Sequence, residues 1–131
     1  SMGKVLIVDD EPLSAKVLEL FLTERGHDTR VAGSGREAQE LGESFRPDVL
    51  ITDYLLPDEV HGDQVIAQLS RTHPDLVSFV VSGLPPEEVR PRIEGLPRTT
   101  LLTKPVDLDV LVEQVAERLG PVSRTPSGPW A

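Results

Sequence analysis

Five short apolar runs alternate with five helical patterns along this chain, and this alternation constrains the fold more than any other feature of the sequence. The expected strands cover about residues 4–8, 28–32, 49–53, 76–81 and 99–102. A helical pattern follows each run, so the strands are expected to be parallel and covered by helices on both faces. Ligands of such sheets bind outside the carboxyl ends of the strands, where the strand order reverses. The residues that end the strands are therefore the first candidates for a functional site.

The first helix is expected to bury one apolar face against this sheet. Its pattern begins at Pro12 and ends at Gly26. The apolar residues at positions i, i+4, i+7 and i+8, which share one side of a helix, are Leu13, Val17, Leu20 and Phe21. The chain's three histidines, by contrast, lack the spacing of a metal site and are expected on the surface. They are His27, His61 and His73.

Composition excludes several classes of function. The chain has 131 residues and no cysteine, which favours a single domain in a reducing compartment and removes disulfide and thiolate metal sites. Acidic residues number 22 against 13 basic ones, for a formal charge of −9, so binding of nucleic acid or of an anionic membrane by this domain is not expected. No apolar run approaches the roughly 18 residues of a membrane helix, and a cytoplasmic location is expected.

A change in composition near residue 120 predicts a domain boundary. Residues 3–120 hold all the alternating patterns, whereas residues 121–131 are rich in proline, serine and glycine and are typical of a tail or linker. The only tryptophan, Trp130, lies in this tail.

Polar residues follow four of the five expected strands. Asp9 and Asp10 follow the first strand, Asp53 ends the third, Ser82 follows the fourth and Lys104 follows the fifth. Each has an ordinary explanation when taken singly, such as a turn, a helix end or a solvated charge. Because the carboxyl ends of parallel strands meet at one edge, the set predicts a cluster in which Asp53 has the partners that a buried charge needs.

These residues also stand in recognisable motifs. Val8-Asp9-Asp10-Glu11-Pro12, Asp53 with Pro57 four residues later, Val81-Ser82-Gly83 and Lys104-Pro105 together resemble a response-regulator receiver domain, the phosphoacceptor domain of two-component signalling. The resemblance covers about residues 4–120. It implies a single flavodoxin-like α/β domain with a doubly wound, five-stranded parallel sheet in the order 2-1-3-4-5.

The resemblance implies a role for each of these residues. Asp53 would be the phosphoacceptor, and Lys104 and Ser82 would contact the phosphoryl oxygens. The ligands of Mg²⁺ would be Asp10, Asp53 and the backbone carbonyl of Leu55, with Asp9 acting through water. The Lys104–Pro105 peptide bond would be cis.

The resemblance further implies a sensor histidine kinase or a histidine phosphotransfer protein as partner, and it leaves a homodimer open. The domain would not be a turnover enzyme, and it would lose its phosphoryl group slowly because Leu55 and Leu84 cannot orient water. One alternative is a degenerate receiver that serves as an unphosphorylated scaffold. Another is an aspartyl-phosphate hydrolase, although such enzymes carry a second acid at the position of Leu55. The sequence departs from the family in one loop, where Gly62 lies nine residues after Asp53 rather than eight.

Overall fold

The computed structural model describes residues 3–119, which form five strands and five helices in strict alternation. The strands are β1 (Lys4–Val8), β2 (Asp28–Ala32), β3 (Val49–Asp53), β4 (Val77–Ser82) and β5 (Thr99–Thr103). The helices are α1 (Pro12–Glu24), α2 (Gly35–Phe45), α3 (Gly62–Thr72), α4 (Pro86–Ile93) and α5 (Leu108–Leu119). The predicted tail, with Trp130, lies outside the described residues.

All five strands are parallel, and their order is β2-β1-β3-β4-β5. The predicted fold class, a flavodoxin-like doubly wound sheet, is therefore confirmed. The chain passes from β1 to β2 on one side and reaches β3 on the other side, so the strand order reverses beside β1. This reversal opens a crevice at the carboxyl ends of β1 and β3. Within residues 3–119, no helix is long and apolar enough to cross a bilayer.

Alternate residues of the strands build two separate core layers. Leu6, Leu50 and Val80 point to the side that α2, α3 and α4 cover. Their neighbours Ile7 and Ile51 point to the opposite side, which α1 and α5 cover. Side chains of a strand alternate between the two faces of its sheet. Burial on both faces explains why β3 consists entirely of buried residues.

The predicted buried face of α1 was wrong in part, because two of its four residues are exposed. The helix packs on the sheet through Ala15, Leu18 and Leu22, whereas Leu13 is 74% exposed and Leu20 is 53% exposed. Two apolar stripes overlap on this helix, and the stripe of Ala15, Leu18 and Leu22 is the one fully buried in the core. Leu13 and Leu20 therefore remain as exposed apolar residues of α1, whereas Phe21 is partly buried against the core.

Two of the three histidines were also placed wrongly by the sequence analysis. His27 and His73 are buried, and only His61 is partly exposed. His73 contacts the hydroxyl of Thr72 at 2.8 Å and the carbonyl of Leu69 at 2.9 Å through Nδ1. Burial and then the charge of Arg25 lower the pKa of His27, which keeps its ring neutral.

Candidate functional site

The carboxyl ends of β1 and β3 bring three acidic residues together in the crevice. One carboxylate oxygen from each of Asp9, Asp10 and Asp53 lies within 4.8 Å of the other two. Asp53 is buried, Asp9 is half-buried and Asp10 is exposed, so the cluster has one face open to solvent. Carboxylate oxygens at this spacing are the donors that a hard divalent cation prefers. The cluster therefore fits the predicted Mg²⁺ site.

The ionised form of Asp53 is disfavoured in this arrangement. Burial, followed by the hydrogen bond and the charge of Asp9, raises the pKa of Asp53 to about 7 from an ordinary value of 3.8. Lys104 acts in the opposite direction without cancelling these effects. A bound cation would favour the charged form of Asp53 and so oppose this rise in pKa. Such an effect is consistent with three carboxylates that together could bind a cation.

The two remaining predicted site residues lie at the ends of β4 and β5. The ammonium nitrogen Nζ of Lys104 is 3.3 Å from Oδ1 of Asp53, and half of the lysine side chain is exposed. Ser82 is buried, and its hydroxyl oxygen accepts a hydrogen bond from the N–H of Leu84 at 3.0 Å. The backbone N–H of Lys104 donates to the carbonyl oxygen of Ser82 at 2.9 Å, which joins the two strand ends. The Lys104–Pro105 bond is cis, as expected.

The loop that follows Asp53, residues 54–61, is called here the acceptor loop. It includes Leu55, whose backbone carbonyl is the third predicted direct ligand of Mg²⁺. His61 stabilises this loop, because its Nδ1 accepts a hydrogen bond from the N–H of Leu56 at 3.0 Å. Asp58 attaches the same loop to α2, with an oxygen 3.1 Å from the N–H of Arg36. The sequence analysis missed both residues, since neither a lone histidine nor an acid after a proline signals a partner in another element.

A cavity of about 700 Å³ opens beside the acidic cluster. Asp53 and Lys104 lie at its wall together with side chains from α1 and from the segment between β5 and α5. Most of this lining is apolar, and it includes Leu13, Val106 and Leu108. Leu13, an exposed leucine of α1, thus lines the same cavity as the acceptor carboxylate.

Comparison with known proteins agrees with this geometry. The family model described as "Response regulator receiver domain" matches residues 5–116. The transcriptional regulatory protein GlrR of Escherichia coli (strain K12) is 32% identical over 117 residues, which are 88% of this chain and 26% of GlrR. The chain spans between about a quarter and a half of the length of the curated relatives that it matches.

Solved structures show the same architecture. The receiver domain of the Francisella response regulator 1452 superposes with a TM-score of 0.79 at 27% identity, covering 95% of this chain and 99% of that one. A CheY-like receiver domain protein from Methanospirillum hungatei JF-1 superposes with a TM-score of 0.85 at 21% identity, covering 96% of this chain and all of the other. The second likeness concerns the fold alone.

Proposed function

This chain belongs to the response-regulator receiver domain family of two-component signalling, and we propose that it takes a phosphoryl group from a phosphohistidine onto Asp53 with Mg²⁺. The observation that supports this proposal best is the position of Asp53 between two further acids and an ammonium group 3.3 Å away. A carboxylate in this position can act as a nucleophile while its neighbours offset the charge of the incoming group.

In the proposed transfer, one carboxylate oxygen of Asp53 attacks the phosphorus atom. The bond between phosphorus and the donor's imidazole nitrogen breaks, and that nitrogen keeps the electron pair. The product is an acyl phosphate on Asp53. Lys104 would pair with one phosphoryl oxygen, and the hydroxyl hydrogen of Ser82 would be donated to another. The serine oxygen accepts from Leu84 in the structure, which leaves its hydrogen for this purpose.

The residues that would hold the cation are Asp10, Asp53 and the carbonyl of Leu55, with Asp9 acting through water. When bound, Mg²⁺ would offset the negative charge of the three carboxylates and of the phosphoryl oxygens. Asp53 must be ionised to attack, and without a cation its pKa of about 7 leaves it partly protonated near neutral pH. The open face of the cluster at Asp10 leaves room for water and for the phosphoryl group.

We further propose that the domain is not a turnover enzyme and that hydrolysis of its acyl phosphate is slow. Leu55 and Leu84 follow Asp53 and Ser82 by two residues each, and neither side chain can position an attacking water. The scaffold alternative lacks support, because the structure places all three acids and Lys104 together.

Phosphoryl uptake from a small donor tests this function directly. We expect the domain, incubated with phosphoramidate and Mg²⁺, to gain one phosphoryl group on Asp53. Intact mass spectrometry would detect the gain, and borohydride reduction followed by peptide mapping would locate it. The label should depend on Mg²⁺ and decay slowly after the donor is removed. No label would contradict the proposal and favour the scaffold, and a label on another residue would contradict the role of Asp53.

The apolar lining of the cavity also predicts how a histidine donor docks. A donor protein must bring its phosphohistidine into the cavity, and Leu13 is an exposed leucine on its rim. We expect Leu13→Lys to slow transfer from the fastest sensor kinase of a profiling panel by about tenfold, since burying one leucine contributes roughly 1.5–3 kcal/mol. Uptake from phosphoramidate should stay unchanged.

Leu20→Lys is the matched control for this experiment, because Leu20 lies on the same helix, is also exposed and does not line the cavity. We expect it to slow the kinase reaction less than about twofold. Equal losses in the two variants, or a loss with phosphoramidate, would show that the rim of the cavity is not the docking surface.

A further inference from the structure

Asp58 joins the acceptor loop to the beginning of α2. Its Oδ2 accepts a hydrogen bond from the N–H of Arg36 at 3.1 Å, and its Oδ1 accepts one from the N–H of Val60 at 3.2 Å. The side chain of Arg36 adds an ion pair at 3.9 Å, although that arginine is 70% exposed. The carboxylate therefore bonds at once to its own loop and to the first turn of a helix 22 residues earlier in the chain.

The loop and the helix are in close contact at this point. A Cβ atom on Gly35, the first residue of α2, would overlap the carbonyl oxygen of Val60. Partial burial opposes ionisation of Asp58, yet the N–H groups of Arg36, Val60 and Gly35 lower its pKa. Backbone N–H groups at a helix start favour an anion, so the carboxylate suits its position.

The other attachment of the acceptor loop runs to α3. The N–H of His61 donates to the side-chain oxygen of Gln64 at 2.9 Å, and the ring of His61 accepts from Leu56. Leu55 lies next to Leu56 and three residues before Asp58. Its carbonyl, the proposed cation ligand, therefore directly precedes a segment in which His61 holds Leu56 and α2 holds Asp58.

We propose that Asp58 is a positioning residue that holds the acceptor loop against α2 and thereby presets the Leu55 carbonyl for the divalent cation. This inference rests on the proposed function, because it assigns Asp58 a role in the cation site of that function. Ordering a loop before binding removes a cost that would otherwise reduce affinity. Asp58 itself touches neither the cation site nor the acceptor, so it acts only through the backbone.

Asp58→Asn, with Glu59→Gln as the matched control, tests this role. Both variants change one carboxylate of the same loop to an amide, so both weaken the general attraction for a cation alike. Glu59 is exposed and makes no side-chain hydrogen bond or ion pair within residues 3–119. We expect Asp58→Asn to weaken Mg²⁺ binding about tenfold, the worth of one charge-assisted hydrogen bond, and Glu59→Gln less than about twofold. Isothermal titration calorimetry would measure both dissociation constants.

Hydrogen exchange provides a second readout that needs no cation. In metal-free buffer, the backbone amides of Arg36 and Val60 should exchange faster in Asp58→Asn than in wild type. Their exchange rates should be unchanged in Glu59→Gln. Equal Mg²⁺ affinities in the two variants, or unchanged exchange at both amides, would overturn the inference. A wild-type domain that binds Mg²⁺ but accepts no phosphoryl group would overturn the proposed function instead, and the two variants would still decide the role of Asp58.

Discussion

Replacing Asp53 by asparagine is expected to abolish phosphoryl uptake and, without divalent cations, to make the domain more stable. An amide oxygen is too weak a nucleophile to form the acyl phosphate. The same substitution removes a buried charge that lies against Asp9. Loss of the reaction together with a gain of stability would show that the charge of Asp53 is needed for phosphoryl uptake and lowers the free energy of unfolding.

The gain in stability of Asp53→Asn over wild type should increase with pH, because the pKa of Asp53 is raised in the folded state. Between about pH 4 and pH 7 the folded wild type keeps a proton that the unfolded chain has lost, because the two pKa values are about 7 and 3.8. The free energy of unfolding therefore falls as pH rises through this window, and the lost stability stays lost above pH 7. We expect a fall of about 2 kcal/mol, less than the full shift would give, because one face of the cluster is open to solvent.

Urea denaturation in a chelating buffer at pH 5 and pH 8 would measure this effect. Asp53→Asn should lack the wild-type fall in stability, and millimolar Mg²⁺ should restore wild-type stability at pH 8 by mass action. Asp75→Asn is the control, since Asp75 is an exposed acid outside the cluster. An Asp53→Asn domain that is less stable than wild type at pH 8 without metal would contradict the claim that the ionised Asp53 destabilises the fold.

Gly62→Ala is expected to cost about 3 kcal/mol of stability. A Cβ atom on Gly62 would overlap the backbone carbonyl oxygen of Asp53 and contact Tyr54. The N–H of Gly62 also donates to the carbonyl of Tyr54 at 2.8 Å, which ties the start of α3 to the end of β3. Neither backbone segment can move freely, so the added methyl group must shift α3 or the acceptor residue itself.

Gly95→Ala is the matched control for this substitution, because a Cβ atom there would meet nothing within 4 Å. We expect this control to change stability by less than about 0.5 kcal/mol. Urea denaturation of both variants makes the comparison. Similar stabilities for the two would show that the close packing behind Asp53 is not rigid. The loop before Gly62, which is one residue longer than in the family, would then accommodate the added methyl group.

The sequence by itself determined the sheet and the position of its acidic cluster. Apolar runs that alternate with helical patterns leave a parallel sheet covered on both faces as the stable arrangement. In such a sheet the ends of β1, β3, β4 and β5 must meet at one edge, and Asp9, Asp53, Ser82 and Lys104 are the residues that end or follow those strands. The alternation of patterns thus predicts that they share one edge, and the strand order that brings them close together was implied by the resemblance to receiver domains.

Only the tertiary structure decided which apolar stripe of α1 faces the core, which histidines are buried and what holds the acceptor loop. Leu13 and Leu18 are equally apolar in sequence, and only the packing of the helix on the sheet leaves Leu13 exposed and Leu18 buried. Asp58 likewise bonds to the backbone N–H of Arg36, 22 positions away, and the position of that N–H cannot be read from the sequence. These features arise from packing between elements and from backbone groups, and every non-proline residue has the same backbone N–H, so no local pattern of side chains encodes them.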